Sequence, residues 1–402
     1  MTDDWLTAEV ASDLLGVKRA TLYTYVSRGW IRSTGSGRTR RYDRADVEEV
    51  RRRSDAARGH AAAASGSMDW GAPVLESAVS SIDPDGPNYR GVPALTLGER
   101  DVSFERVAEL LWTGELPAAA GWSAPDPGVD LPAYARLVPT DALVATALSI
   151  AAQALAAGDP MRGVLAERAE PERARVVIRR MVALSARVVG PEREWITRVA
   201  TSLAAPTVAD AVVAAMGAPP AAARWVNRAL VLVADHELTA STFAARVAAS
   251  TGADLYGCLG SALAAWSGPR HGRASEALED ALRRAARGES WSLGEVAPGF
   301  GHRLYPGGDP RCERLLSDAA ALCPTDPRWA ILVEITRVMQ AAGHPPPTLD
   351  LGLVGLAIAT GLPPRAPQLL FGVGRIAGWL AHAWEQRGSG RMLRPRARYV
   401  GP

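Results

Sequence analysis

From about residue 70 onward the chain is built on one recurring feature: Ala- and Leu-rich stretches of helical length, each stopped by glycine or proline. DALVATALSIAAQALAAG, PERARVVIRRMVALSARVVG and ASEALEDALRRAARG are examples. In the last, Leu278, Ala281, Leu282 and Ala285 share one face, Glu279 stands four residues before Arg283, and Gly288 supplies the stop. The alternating Val, Ile and Tyr runs that build sheets are scarce. Neither a repeat of fixed period nor a phosphate-binding glycine loop is present. The pattern predicts a mainly all-α body in a chain of 402 residues, long enough for two or three domains. With 48% hydrophobic and 22% charged residues, broad disorder is excluded. The longest charge-free apolar stretches, such as LGLVGLAIATGLPP, fall short of the ~20 residues of a membrane span. The acidic opening MTDDWLTAEV has no basic or apolar region of a secretory signal. Cys258, Cys312 and Cys323 lack CxxC spacing, which fits a reducing cytoplasm.

Charge sets the first fifty residues apart. Residues 18–53 carry eleven bases and four acids, whereas the whole chain is only +2. Thr7 can cap a helix with Val10, Leu14 and Leu15 at helical spacing, and Gly16 ends it. A second helix over Lys18–Ser27 places Leu22, Tyr25 and Val26 inward, although Lys18 stands where a capping Ser or Thr is expected. Gly29 closes that helix, and Ile31–Tyr42 reads as two short strands around the basic tip GSGRTR. Asp43 can cap a third helix, ADVEEVRRR. Helix, turn, helix, basic hairpin, helix is a winged helix-turn-helix order, and residues 1–54 resemble the helix-turn-helix domains of the MerR and excisionase type. In such modules the second helix enters the major groove and the wing meets phosphates. That resemblance implies DNA contact through Arg19, Thr21, Tyr23, Arg28, Arg38, Arg40 and Arg41, the alternative being a solvated basic face or a protein-docking domain. Residues 55–70 are small, polar or Ala-rich and read as a linker.

Six histidines occur, and three sit in unusual surroundings. His236 lies in VADHELTASTFAARVAASTG, between two acids. His271 lies in WSGPRHGRASE, on a Gly/Pro turn before a helix. His302 lies in PGFGHRLYPGGDPR, flanked by glycines that let a backbone approach a ligand. None has metal-ligand spacing, so no metal site is expected. Asp350 is the only charge between Arg337 and Arg365, just before an apolar helix; such a carboxylate is either a helix cap or a base. Arg375 is the only charge from Leu369 to Trp384, and a cation on so apolar a helix needs an anion, protein or ligand.

These segments carry a resemblance. DHELTASTFAARVAASTGADLY, AWSGPRHG and PGFGHRLYPGGDPR resemble three signature blocks of the citrate synthase family, the last through Gly299-Phe300-Gly301-His302 and Asp309-Pro310-Arg311. YRGVPALTLGERDVSFERVAELLWTGELP is similar to that family's N-terminal block, and TLDLGLVGLAIATGLPP and GRIAGWLAHAWEQ to its C-terminal ones. The blocks run in family order over about 70–402.

The resemblance implies a large helical domain (71–274 plus 361–402) and a small one (275–360) that close over substrate in a homodimer. It implies condensation of acetyl-CoA with oxaloacetate to citrate and free CoA, with no metal or redox cofactor. Asp350 would take the methyl proton, His271 would stabilise the enolate, and His302 would polarise the ketone. His236, Arg311 and Arg375 would hold the carboxylates, joined by Arg394 from the partner subunit. Val296, Ala297, Pro298, Gly299, Phe300 and Gly301 would cradle the adenine side of CoA. A methylene changes binding by only ~1–3 kcal/mol, so propionyl-CoA stays open as a substrate. Arg273 stands where the family usually has a small residue, and could face the CoA phosphates or shift acyl preference. The competing reading is a DNA-binding transcription regulator that uses the synthase-like body as a metabolite sensor.

Overall fold

The computed structural model of the chain describes residues 5–57, 75–165, 169–322, 325–395, 397, 399 and 401. They fall into two compact units, Met1–Glu76 and Ser77–Pro402.

In the first unit Thr7 accepts the Val10 N–H at 3.3 Å and starts the helix Ala8–Leu15; Gly16, at φ 61°, ends it in the left-handed conformation that glycine tolerates best. Val10 turns outward, because Ala11 and Leu15 occupy the inner face one turn apart. The second helix, Arg19–Ser27, starts at Lys18 with no side-chain cap. Strands Ser33–Thr34 and Arg41–Asp43 form the expected hairpin around a turn at Gly37–Thr39. Trp5–Leu6 pairs on the other edge of Arg41–Asp43, a strand too short to leave an alternating pattern. Asp43 accepts the Asp46 N–H at 3.0 Å and opens the third helix, Arg44–Ala57, which runs past the predicted end at Arg53. Residues 55–57 of the expected linker therefore continue that helix, and 58–70 lie outside the described residues. Leu6, Leu15, Leu22, Ile31, Tyr42 and Val47 form the core of this unit.

The second unit opens with a three-stranded antiparallel sheet, Ser80–Asp83, Gly86–Tyr89 and Val92–Pro93. Tyr89 pins it to the helix Ala223–Val233 through Oη–H to the Val231 carbonyl at 2.9 Å. The rest is helical. Helix Ala366–Gly388 is apolar around its circumference and is accordingly buried along most of its length, with Val144–Gly158, Ala223–Val233, Ala240–Ser250 and Leu255–Trp266 packed against it. Gly374 and Gly378 leave no room for a Cβ against Val233, Leu230 and Asp235, so two backbones approach there as only glycine allows.

A second apolar cluster draws on 278–358 alone: Leu278, Leu282, Val296, Phe300, Cys312, Leu332, Ile335 and Met339 among others. Helix Leu349–Thr360 belongs to both cores. Leu351, Val354 and Ile358 face the second cluster, and Leu349, Leu353 and Leu356 face the first. Asp350 sits in its first turn, where the two cores meet.

Candidate active site

The turn after helix Ala223–Val233 carries His236, followed by Glu237 at φ 55°, a left-handed residue other than glycine. His236 Nε2 lies 3.2 Å from Tyr305 Oη, and the His302 ring stands 5.1 Å from His236 and 5.0 Å from Tyr305. The segment that delivers His302 is stitched to the approach of Asp350. Gly299 O accepts the Thr348 N–H at 2.9 Å, Gly301 N–H donates to Pro346 O at 2.9 Å, and Phe300 bridges Pro347. Within the strip Val296–Gly301, these backbone groups of Gly299 and Gly301 are thus spent on internal bonds. Gly299 is needed because a Cβ would strike buried Leu278.

Arg311, at the start of helix Pro310–Leu322, is 2% exposed and forks onto Asp309, with Nε–Oδ1 3.0 Å and Nη2–Oδ2 2.8 Å. Its guanidinium covers the Tyr305 ring at 5.6 Å. Arg375, also 2% exposed, donates Nε–H to Val233 O at 2.8 Å and covers Phe371 at 4.9 Å. Nη1 of each is buried without a hydrogen-bond partner among the described residues. Two desolvated guanidiniums with unspent donors make a strong site for a small anion.

Those charges govern the neighbours. Burial first, and then Arg311 and Arg375, push His236 well below its usual range and His302 to about 4. Burial and then Arg375 push His271 to about 4. All three imidazoles are therefore neutral near pH 7. In His302, Nδ1 accepts the Leu304 N–H at 3.2 Å, so the ring hydrogen sits on Nε2 and is a donor. His271 Nε2 is 2.7 Å from Ser241 Oγ, which takes Trp379 Nε1–H at 3.1 Å. Ser241 can then turn its own O–H to Nε2, leaving the His271 hydrogen on Nδ1. Asp350 is raised to about 6, chiefly by burial, against the Ser275 N–H and the Arg311 charge, which lower it. That N–H belongs to the first turn of helix Ala274–Ala286, which follows the His271 turn directly.

The predicted residues His236 and His302 thus come within electrostatic reach of both predicted arginines, Arg311 and Arg375, while His271 feels Arg375 and Asp350 feels Arg311. Arg394 is exposed and takes no hydrogen bond or ion pair among the described residues. Arg273 is ion-paired with Glu276 at 2.7 Å, which balances its charge. Composition and spacing gave no signal for Tyr305, Ser241 or Phe371, neutral residues lying inside or beside the signature blocks. In the first unit Arg19, Tyr23 and Arg28 are exposed, Arg28 covering the Trp30 ring at 5.4 Å. Thr21, Arg40 and Arg41 are half-buried, and the Arg38 side chain lies outside the described residues. Among the described residues no group of three or more His, Cys, Asp or Glu is arranged to hold a metal ion, and no helix is long and apolar enough to cross a membrane.

A helical body that gathers neutral imidazoles and one elevated carboxyl around two buried guanidiniums, each with a spare donor, defines an acid–base enzyme for a small anionic substrate. The family model described as "Citrate synthase, C-terminal domain" matches residues 67–396, and a helix-turn-helix domain model matches 5–54. The chain is 31% identical to a citrate synthase of Mycolicibacterium smegmatis, over 82% of this chain and 94% of that protein. It is 31% identical to a 2-methylcitrate synthase of Mycobacterium tuberculosis, over 82% and 89%. The match to citrate synthase 2 of Bacillus subtilis, 35% identical, spans 44% of this chain and 50% of that protein. The fold superposes with a TM-score of 0.66 on citrate synthase of Thermoplasma acidophilum in its ternary complex with carboxymethyl coenzyme A and oxaloacetate, at 25% identity, covering 82% of this chain and 94% of that one. The chain belongs to the citrate synthase family, acyltransferases that condense acetyl-CoA with oxaloacetate to citrate and free CoA.

Proposed function

We propose that this chain performs that condensation through Asp350, His271 and His302, with oxaloacetate held by His236, Arg311 and Arg375. The observation that carries the reading is the pair of buried guanidiniums, each with a spare Nη1, beside the Nε2–H of His302. A dicarboxylate satisfies both cations, and its ketone oxygen then meets the His302 donor. The Asp350 carboxylate removes a methyl proton from the acyl-CoA. A thioester α-proton is weakly acidic, so a base raised to about 6 gains in strength while remaining ionised at pH 7. His271 donates to the thioester oxygen as its enolate charge develops, the kind of preorganised stabilisation that lowers such barriers most. The enol carbon attacks the ketone carbon, the new alkoxide takes its hydrogen from the His302 side, and water cleaves the thioester to citrate and CoA thiol.

Further parts of the reading rest on narrower support. The separate apolar cluster of 278–358 supports a small domain over about 275–360 that moves against the remainder (71–274 plus 361–402). The strip Val296–Gly301 lies on that part and is read as the CoA cradle. Arg394 reaches oxaloacetate from the partner subunit of a homodimer. A 2-methylcitrate synthase among the relatives keeps propionyl-CoA as an acceptable acyl donor. Purified protein with oxaloacetate should release CoA thiol from acetyl-CoA or propionyl-CoA; no release from either removes the reading and favours the sensor.

The basic first unit supports a second activity, DNA binding through Arg19, Thr21, Tyr23, Arg28, Arg38, Arg40 and Arg41. Binding to duplex should weaken steeply as salt rises and vanish on removal of residues 1–54, with CoA release retained. Affinity unchanged by that deletion would assign the module another task.

A further inference from the structure

One buried carboxylate next to the site has no part in the reaction above. Asp235 is fully buried, and its Oδ2 accepts three hydrogens: the Ser80 hydroxyl, the Glu237 N–H at 3.1 Å, and His382 Nε2 at 3.2 Å. His382 is also fully buried, and its Nδ1 is 3.0 Å from Arg246 Nη1. A guanidinium can only donate, so Nδ1 is the acceptor and the imidazole hydrogen is confined to Nε2, directed at Asp235. Arg246 is fixed in turn by Glu385 Oε2 at 2.6 Å and Gln386 Oε1 at 3.1 Å, and Glu385 Oε1 accepts the Ala78 N–H at 2.7 Å. Arg246 thus donates both ways, to Glu385 and to His382, and His382 donates on to Asp235, the residue before His236.

Two groups of the candidate site depend on that end. Glu237 holds φ 55°, a strained conformation for its type, and the Asp235 carboxylate grips its N–H; this fixes the backbone on which His236 is carried. Arg375, whose Nε binds Val233 O in the same turn, has no carboxylate bonded to it among the described residues; Asp235 is the leading opposite charge acting on it. Gly378, one turn beyond Arg375, donates to Ala234 O at 3.0 Å and leaves no space for a Cβ against Asp235. We propose that Asp235, oriented by the Arg246-fixed tautomer of His382, is a positioning residue that aims His236 and supplies the countercharge for Arg375 until the substrate dianion arrives. The proposal rests on the oxaloacetate reading of the site.

Two variants separate the two tasks. Asp235→Asn can keep its amide oxygen at the Oδ2 position, with all three donors, and loses only the charge. Asp235→Ala loses both. With the full-length protein, oxaloacetate should raise the Tm of Asp235→Asn by more than it raises that of the wild type, because the dianion now replaces a missing countercharge. Asp235→Ala should lose about 10- to 100-fold in kcat and raise KM for oxaloacetate while KM for the acyl-CoA holds. Equal oxaloacetate-induced Tm shifts in Asp235→Asn and wild type, or a parallel rise of both KM values in Asp235→Ala, overturns the proposal. If Asp235→Ala does not fold, the Asp235→Asn shift decides alone. A wild type that binds oxaloacetate without turnover defeats the synthase reading and leaves the Asp235 test intact.

Discussion

Asp350 and the imidazoles all titrate on the acid side of neutral pH, the carboxyl nearest to it, and this fixes the pH behaviour. Burial lifts the carboxyl to about 6, while burial and the arginine charges hold His271 and His302 at about 4. Below about 6 the base is protonated and cannot accept a proton, so kcat/KM should fall about tenfold per pH unit there. Above it the profile should be flat to at least pH 8, since the imidazoles are already neutral. Asp350→Asn should release CoA at least about a hundredfold more slowly at every pH and lose the inflection near 6. An inflection that survives the substitution would assign it to another group. These candidate residues stood out because a lone charge in an apolar run, or a histidine between glycines, breaks the pattern of a string. Tyr305, which touches His236 and lies under Arg311, did not stand out: an uncharged ring in RLYPGG breaks no pattern. Asp235 and His382 were hidden for another reason. They are 147 residues apart, and only the packing of helix Ala366–Gly388 on the 233–237 turn makes them partners.

Between elements, one contact that ties the part holding the second apolar cluster to the first is a carboxylate on a strained residue. Glu279, on helix Ala274–Ala286, takes the Arg365 N–H on both oxygens at 3.2 and 3.1 Å. Arg365 holds φ 71° ahead of helix Ala366–Gly388, and its guanidinium binds the carbonyls of Thr140, Asp141, Ala142 and Val188. The sequence suggested a Glu279–Arg283 pair four residues apart, but Arg283 forms its ion pair with Asp280 and Glu279 turns to the helix start instead. Burial raises Glu279 from 4.5 to about 7. The folded protein therefore binds that proton more tightly than the unfolded chain. The resulting stability is full below about 4.5 and is lost as pH rises through 7. Glu279→Gln keeps one acceptor for the Arg365 N–H and does not titrate. The Tm of the wild type should therefore drop relative to this variant between pH 5 and 8, and parallel curves would refute the assignment. Helices of this length were legible from composition and stops. The small sheets were not, because strands of two to four residues such as Val92–Pro93 are too short to show alternation and exist only through their partners.

At the scale of the molecule, a basic module ahead of a helical body was legible from charge, since the excess over residues 18–53 lies wholly within the first unit, Met1–Glu76. The proposed homodimer rests on the family resemblance alone, because a surface that pairs with its own copy is composed like any other. Arg394 makes that question testable. If each site takes Asp350 from one chain and Arg394 from the other, Asp350→Asn and Arg394→Ala chains complement each other. A mixed dimer then carries both lesions in one site and none in the other. Random re-association makes about half of the dimers mixed, each with one intact site of two, so mixing two nearly inactive proteins should restore about a quarter of wild-type CoA release. Should Arg394 serve the site of its own chain, each site of a mixed dimer keeps one lesion and mixing restores nothing. Size-exclusion chromatography of differently tagged chains would confirm that exchange took place, so that a failure to recover activity counts against the shared site.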